Sequence, residues 1–182
     1  MARKTLAQLP AFDGHSKTVN IVIEVSKGAR IKLKYDESNE IFRAEKALPV
    51  GLAFPFDFGF IPSTVGGDGD PLDALVLSEG GLPWGTVVLG KVLGIIKCEQ
   101  TERGRKERND RVIAVPLDAK SSEPFLPAVE LDASLKSAIA EFFTKYNELQ
   151  GKKLRVIGFE GAGSALAAIR QAMAAAARKK SG

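Results

Sequence analysis

The sequence predicts an α+β fold: a small barrel of short strands with helices packed against it. Two observations predict it. Short apolar, β-branched segments bounded by Gly, Pro, Asp or Asn recur through the first two-thirds of the chain, which is the signature of a barrel or sandwich. From Asp132 onward the apolar period lengthens from two to that of a helix, so the order becomes helix, strand, helix. With 182 residues, 45% of them hydrophobic and 26% charged, the chain has an ordinary globular composition and suffices for one domain over 1–182.

Val19 to Val25 (VNIVIEV) is a β-branched strand ended by Ser26-Lys27-Gly28. Arg30 to Tyr35 (RIKLKY) alternates with period two, which puts Lys32 and Lys34 on one face. Ile41 to Ala44 is a weaker third strand, and Pro49 to Pro71, rich in Phe, Gly and Pro, reads as a loop. Ala74–Leu77, Thr86–Ile96 and Val112–Val115 follow as strands. Asp132 suits the N-cap of a helix carrying Leu135, Ile139, Phe142, Phe143 and Tyr146, with Gly151 beyond its end. Leu154–Phe159 is a last strand. Gly161-Ala162-Gly163-Ser164 lacks the third glycine of a dinucleotide loop, so Ser164 is expected to cap an alanine-rich helix to Arg178 whose apolar face is expected to join the core, with a subunit contact as the alternative.

Composition narrows the function classes. No apolar run reaches the roughly 18 residues that cross a bilayer, so no membrane partner is expected. The start, Met1-Ala2-Arg3-Lys4-Thr5-Leu6, is basic without an apolar stretch or cleavage site, so no secretory leader is expected there. Cys98 is the one cysteine, which excludes an internal disulfide framework and fits a reducing compartment, the cytoplasm by default. The net charge of +4 is modest, and the basic residues between Arg103 and Arg111 are mixed with acids and carry no aromatics, so nucleic acid is not the expected partner. His15 is a lone histidine without partners at metal spacing and receives no role.

The chemistry concentrates in Asp68-Gly69-Asp70-Pro71-Leu72-Asp73. Asp68 and Asp70 share a face wherever the backbone is extended, and Pro71 lets the chain turn so that Asp73 returns towards them. Clustered carboxylates repel one another unless a cation sits among them. Hard oxygen donors of this kind suit Mg²⁺ or Mn²⁺, which take phosphate oxygens as further ligands. An acidic turn is the plain alternative, because Asp and Gly are turn residues in their own right.

This run, with Phe54-Pro55-Phe56-Asp57-Phe58-Gly59-Phe60-Ile61-Pro62 before it and Ala74-Leu75-Val76 after it, resembles the signature of the soluble family I inorganic pyrophosphatases. The likeness continues in order through Ile21-Val22-Ile23-Glu24, Val112-Ile113-Ala114-Val115-Pro116, the pair Phe142-Phe143 with Tyr146, and Gly151-Lys152. It implies a five-stranded, OB-like barrel with helices, bound Mg²⁺ ions, hydrolysis of pyrophosphate to two phosphates, and a homo-oligomer, commonly a hexamer. It also implies that Asp68 and Asp73 are metal ligands, that Asp70 is a metal ligand and the candidate base, and that Glu24 supports the metal shell. Lys32, Arg111 and Tyr146 would hold phosphate.

Several positions depart from the family pattern. The strand that reads Lys-x-Glu in the family carries Lys34 where the acid belongs, and an ammonium there can hold a phosphate oxygen or pair with a carboxylate. Glu45 stands where an arginine is expected, and Phe54 and Phe58 replace tyrosines. Asn109 and Gln100 fall where aspartates are expected, Arg111 replaces a lysine, and Asn147 replaces the lysine after Tyr146. Asp110 should face away in an extended strand, while Glu99 and Glu102 are the neighbouring acids able to stand in for the missing carboxylates. Two functions follow: a pyrophosphatase-type hydrolase of reduced or altered activity, or a non-catalytic relative that binds metal and a phosphate ligand or serves as a structural partner.

Overall fold

The computed structural model describes residues 4–14, 18–125 and 129–181. His15 therefore lies outside the described residues. In chain order the regular elements are a short 3₁₀ turn (Leu6–Gln8), β1 (Thr18–Val25), β2 (Ile31–Asp36), β3 (Ile41–Ala47), β4 (Asp57–Phe60), β5 (Asp73–Val76), β6 (Val87–Glu102), β7 (Arg105–Arg108), β8 (Arg111–Leu117), α1 (Ala133–Glu148), β9 (Lys153–Gly161) and α2 (Ala162–Ser181).

Strand pairing closes a ring. β1 pairs with β4, β4 with β5, β5 with β8, β8 with β6, and β6 returns to β1. All these pairs are antiparallel except β5–β8, and the result is the expected five-stranded barrel. The long β6 extends beyond the ring, where it takes β9 and β7 as further neighbours. β2 and β3 form a separate two-stranded hairpin.

Three expectations from the sequence need correcting. The stretch Pro49–Pro71 is not all loop, because it contains β4. All four β4 residues are buried, so the alternation that betrays a half-exposed strand is missing. A Cβ at Gly59 would lie 1.9 Å from the Val22 carbonyl oxygen, so only glycine lets β4 lie this close to β1. The strand expected over Thr86–Ile96 runs on to Glu102 and turns at Arg103-Gly104 into β7, with φ of 48° and 79° there. Ser164 is not a cap, since α2 starts at Ala162 directly after β9.

Asp132 caps α1 as expected, its Oδ1 accepting from the Leu135 amide at 2.8 Å. The helix puts Ile139, Phe143 and Tyr146 against Phe54, Phe58, Ile96 and Ile113. On the other side of the sheet α2 seats Ala165, Leu166, Ile169 and Ala172 on Val19, Ile21, Val92 and Ile95. Its alanine-rich face thus joins the core, where small side chains let the helix approach the sheet closely. Among the described residues no helix is long and apolar enough to cross a membrane.

Candidate functional site

The acidic loop is held from behind before it reaches the site. Thr64 Oγ1 donates to the Ile61 carbonyl at 2.6 Å and accepts from the Leu72 amide at 2.9 Å, while the Ile61 amide donates to the Leu72 carbonyl at 2.9 Å. These bonds fix the entry to β5 and so the position of Asp73. Asp68 and Asp70 are not brought together by an extended backbone. The chain turns tightly at Gly69 (φ 88°), with the Gly66 amide donating to the Asp70 carbonyl and the Asp68 carboxylate accepting from the Asp70 amide at 3.2 Å. A glycine turn, rather than an extended strand, brings both residues to the cavity.

Across from this loop stand β2 and β3. Glu24 of β1 accepts from the Tyr35 amide at 2.6 Å, tying the hairpin to the barrel. Lys32 and Lys34 then reach into the same cavity, of about 450 Å³, that Glu24, Asp68, Asp70 and Asp73 line. Lys32 Nζ lies 2.8 Å from Glu45, and Lys34 Nζ lies 2.7 Å from Asp70 Oδ2. Every residue given a metal, catalytic or phosphate role from the sequence thus lines one cavity, including Arg111 at the start of β8 and Tyr146 on α1.

Arg111 is buried, its guanidinium 4.4 Å from the centre of the Phe143 ring and 3.7 Å from Asp73. One of its nitrogens donates to the Asn109 carbonyl at 2.8 Å, but its Nε has no hydrogen-bond partner. The Tyr146 hydroxyl is likewise buried and unpartnered, on a ring that packs against Phe54 and Phe142. Unpaired buried donors are costly and are normally rare. Two of them in one polar cavity fit a ligand rich in acceptor oxygens.

Electrostatics point the same way. Removal from bulk water pushes the Glu24 carboxyl up to about 7, against the pull of the Tyr35 amide. Asp73 is pushed up to about 6 for the same reason, with Arg111 pulling it down and Asp68 pushing it up. Burial pulls the Lys32 ammonium down, but Tyr146 and Glu45 carry it above its ordinary value. Burial outweighs the neighbouring cations at both carboxyl groups.

The positions that depart from the family pattern also line the cavity. Asn109 Nδ2 donates to Gln100 Oε1 at 3.1 Å, so the two expected aspartate positions do meet, as a neutral amide pair. Asp110 faces away as expected, bound to Lys97, Arg108 and the Cys98 amide on the far side of the strand. Glu99 is paired with Lys106 and Arg155, and Glu102, which does line the cavity, with Lys152 at 2.8 Å. Asn147 is buried and donates to the Phe143 carbonyl at 2.8 Å. Gln150 and Glu107 also line the cavity and were missed from sequence. Gln150 binds Lys46 and the Tyr146 carbonyl; its place four residues after Tyr146, just past the end of α1, was the available signal.

The carboxylate oxygens are the right donors for a hard divalent cation. Their arrangement is not closed around one, however: among the described residues no three His, Cys, Asp or Glu side chains form a group placed to hold a metal ion. Asp70 is turned to Lys34 and Asp73 to Arg111.

Comparison with known proteins places this geometry. A family described as inorganic pyrophosphatase matches residues 21–177. The chain is 34% identical to the inorganic pyrophosphatase of Thermus thermophilus over 175 residues, covering 96% of this chain and 98% of that one. It is 34% identical to the inorganic pyrophosphatase of Saccharolobus solfataricus over 168 residues, covering 90% and 93%. The crystal structure of the Thermus thermophilus protein superposes with a TM-score of 0.81 at 32% identity, covering 95% of this chain and 99% of that chain.

Proposed function

Because the chain belongs to the inorganic pyrophosphatase family, we propose that it hydrolyses pyrophosphate with water to two phosphates, with the help of a divalent cation, typically Mg²⁺ with Mn²⁺ as a substitute. The observation that carries this is that Asp68, Asp70 and Asp73 line one cavity together with Lys32, Arg111 and Tyr146. Asp68 and Asp73 would hold the cation, with Asp70 joining them and Glu24 steadying the shell. When bound, the cation lowers the pKa of a water at the site and offsets the charge of the phosphoryl groups.

The chain's own residues do the rest. Arg111 Nε and the Tyr146 hydroxyl donate to phosphate oxygens, satisfying two buried atoms that otherwise make no hydrogen bond. Lys32 exchanges Glu45 for a phosphate oxygen as the substrate enters. Asp70 takes the proton of the attacking water, and the departing phosphate leaves the cation-rich wall of β2 and β3. The β-strand floor and the rings of Phe54 and Phe58 limit the access of bulk water.

A second reading, a protein that binds metal and a phosphate ligand without turnover, is favoured by the Lys34–Asp70 contact and the Gln100–Asn109 amide pair. Phosphate release from pyrophosphate with Mg²⁺, then Mn²⁺, then after chelation, separates the two. Release that stops on chelation supports the enzyme, and none with either metal supports the binding protein. The cytoplasm, inferred from the single cysteine, and a homo-oligomer, a hexamer by resemblance, complete the proposal. The exposed Ile31, Trp84 and Phe125 offer apolar surface for such an assembly.

A further inference from the structure

The donor set suits a divalent cation and yet does not close, and the side chain that holds it open is visible. Lys34 Nζ sits 2.7 Å from Asp70 Oδ2. Asp70 lies on the turn with Asp68, while Lys34 comes from β2, a hairpin strand outside the barrel. The contact therefore crosses the mouth of the cavity. We propose that Lys34 is a built-in counterion that competes with a divalent cation for Asp70, so that metal enters only as Lys34 is displaced. This rests on the metal-dependent reading above and adds to it a residue that sets metal affinity.

Three observations support it. An ammonium cannot be a metal ligand, so a carboxylate it occupies is lost to the metal while the contact lasts. The contact is breakable: Lys34 and Asp70 are 45% and 56% exposed, and exposed ion pairs are weak. Among the described residues Lys34 is the cation paired with Asp70, since Arg111 is engaged at Asp73, Lys32 at Glu45, and the Gln100–Asn109 pair is neutral. The result is a switchable pair placed over the aspartates.

The test is Mn²⁺ binding to the full chain without substrate, followed by calorimetry and by the spectroscopic signal of free Mn²⁺. Lys34→Gln is expected to tighten binding roughly three- to tenfold, the size set by an exposed pair and one nearby charge. Lys34→Arg, which keeps a cation, is expected to bind as the native chain does. Asp70→Asn distinguishes competition from a general field. In that background Lys34→Gln should bring no gain, whereas a gain that persists overturns the proposal, because Lys34 then acts without Asp70. Unchanged binding in Lys34→Gln overturns it as well, while leaving the metal-dependent reading intact. Tighter Mn²⁺ binding with no phosphate release in any variant keeps the competition and removes the hydrolytic reading. Mn²⁺ binding by neither chain sinks both. A native circular dichroism spectrum and melt confirm that each variant is folded.

Discussion

Asp57 and Asp73 are both aspartates brought against the barrel wall, and they live in opposite surroundings. Asp57 is fully buried, and its carboxylate accepts from the Lys27 amide at 2.7 Å, the Leu82 amide at 3.0 Å and the Ser78 hydroxyl. Asp73 has a buried arginine at 3.7 Å and other carboxylates as neighbours. The first is a clasp that ties the start of β4 to the β1–β2 and β5–β6 connections. The second keeps its ligand capacity unspent. A buried carboxylate surrounded by fixed donors serves the fold, and one with a single cation and other carboxylates beside it is the one proposed to take a further cation.

The largest expected effect separates the two sites outright. Asp73→Ala should lower phosphate release by roughly 10³-fold while leaving the melting temperature at or above the native value, because it removes mutual repulsion. Asp57→Ala should do the reverse, leaving three part-buried donors without their acceptor at a cost of about 3 kcal/mol, or roughly 10 °C in Tm for a chain of this size. Release per folded molecule should barely change. An Asp57→Ala protein that melts like the native one would break the comparison.

Next comes Arg111. Arg111→Met keeps an apolar side chain against Phe143 and removes the charge beside Asp73, so kcat/KM should fall roughly 10²-fold. Retention of full kcat/KM would show that the unpartnered Nε is not a phosphate donor.

A smaller effect concerns the amide pair. Assayed beside the Thermus thermophilus relative, this chain should release phosphate at least about tenfold more slowly, since Gln100 and Asn109 supply no carboxylate. Gln100→Asp with Asn109→Asp should narrow the gap and raise the number of Mn²⁺ bound per chain. Equal rates in the native proteins would show that Glu102 leaves Lys152 to take over the missing charge.

The smallest is a control on the exposed side of α1. Lys145 pairs with Glu148 at 3.1 Å in full solvent, so Lys145→Ala should shift stability by less than about 0.5 kcal/mol, read from a urea midpoint.

By itself the sequence determined the inventory. The carboxylates of Asp68, Asp70 and Asp73 stand within six residues, Lys32 and Lys34 alternate on one strand face, and Tyr146 falls on the helical face with Phe142 and Phe143. Periodicity and caps also located β1, β2, β5, β8, α1 and β9 to within a few residues, because those signals are local. β4 was hidden because a strand buried on both faces shows no alternation, and Ser164 misled because β9 runs straight into α2. Partnership was decided only by the tertiary structure. Gln100 meets Asn109 because the β6–β7 hairpin returns the chain beside itself, with the Asn109 amide on the Cys98 carbonyl at 3.0 Å. Lys34 meets Asp70, 36 residues away, because a hairpin outside the barrel leans over a glycine turn. Charge and spacing are properties of a few neighbouring residues, whereas which cation faces which carboxylate depends on how separate elements pack.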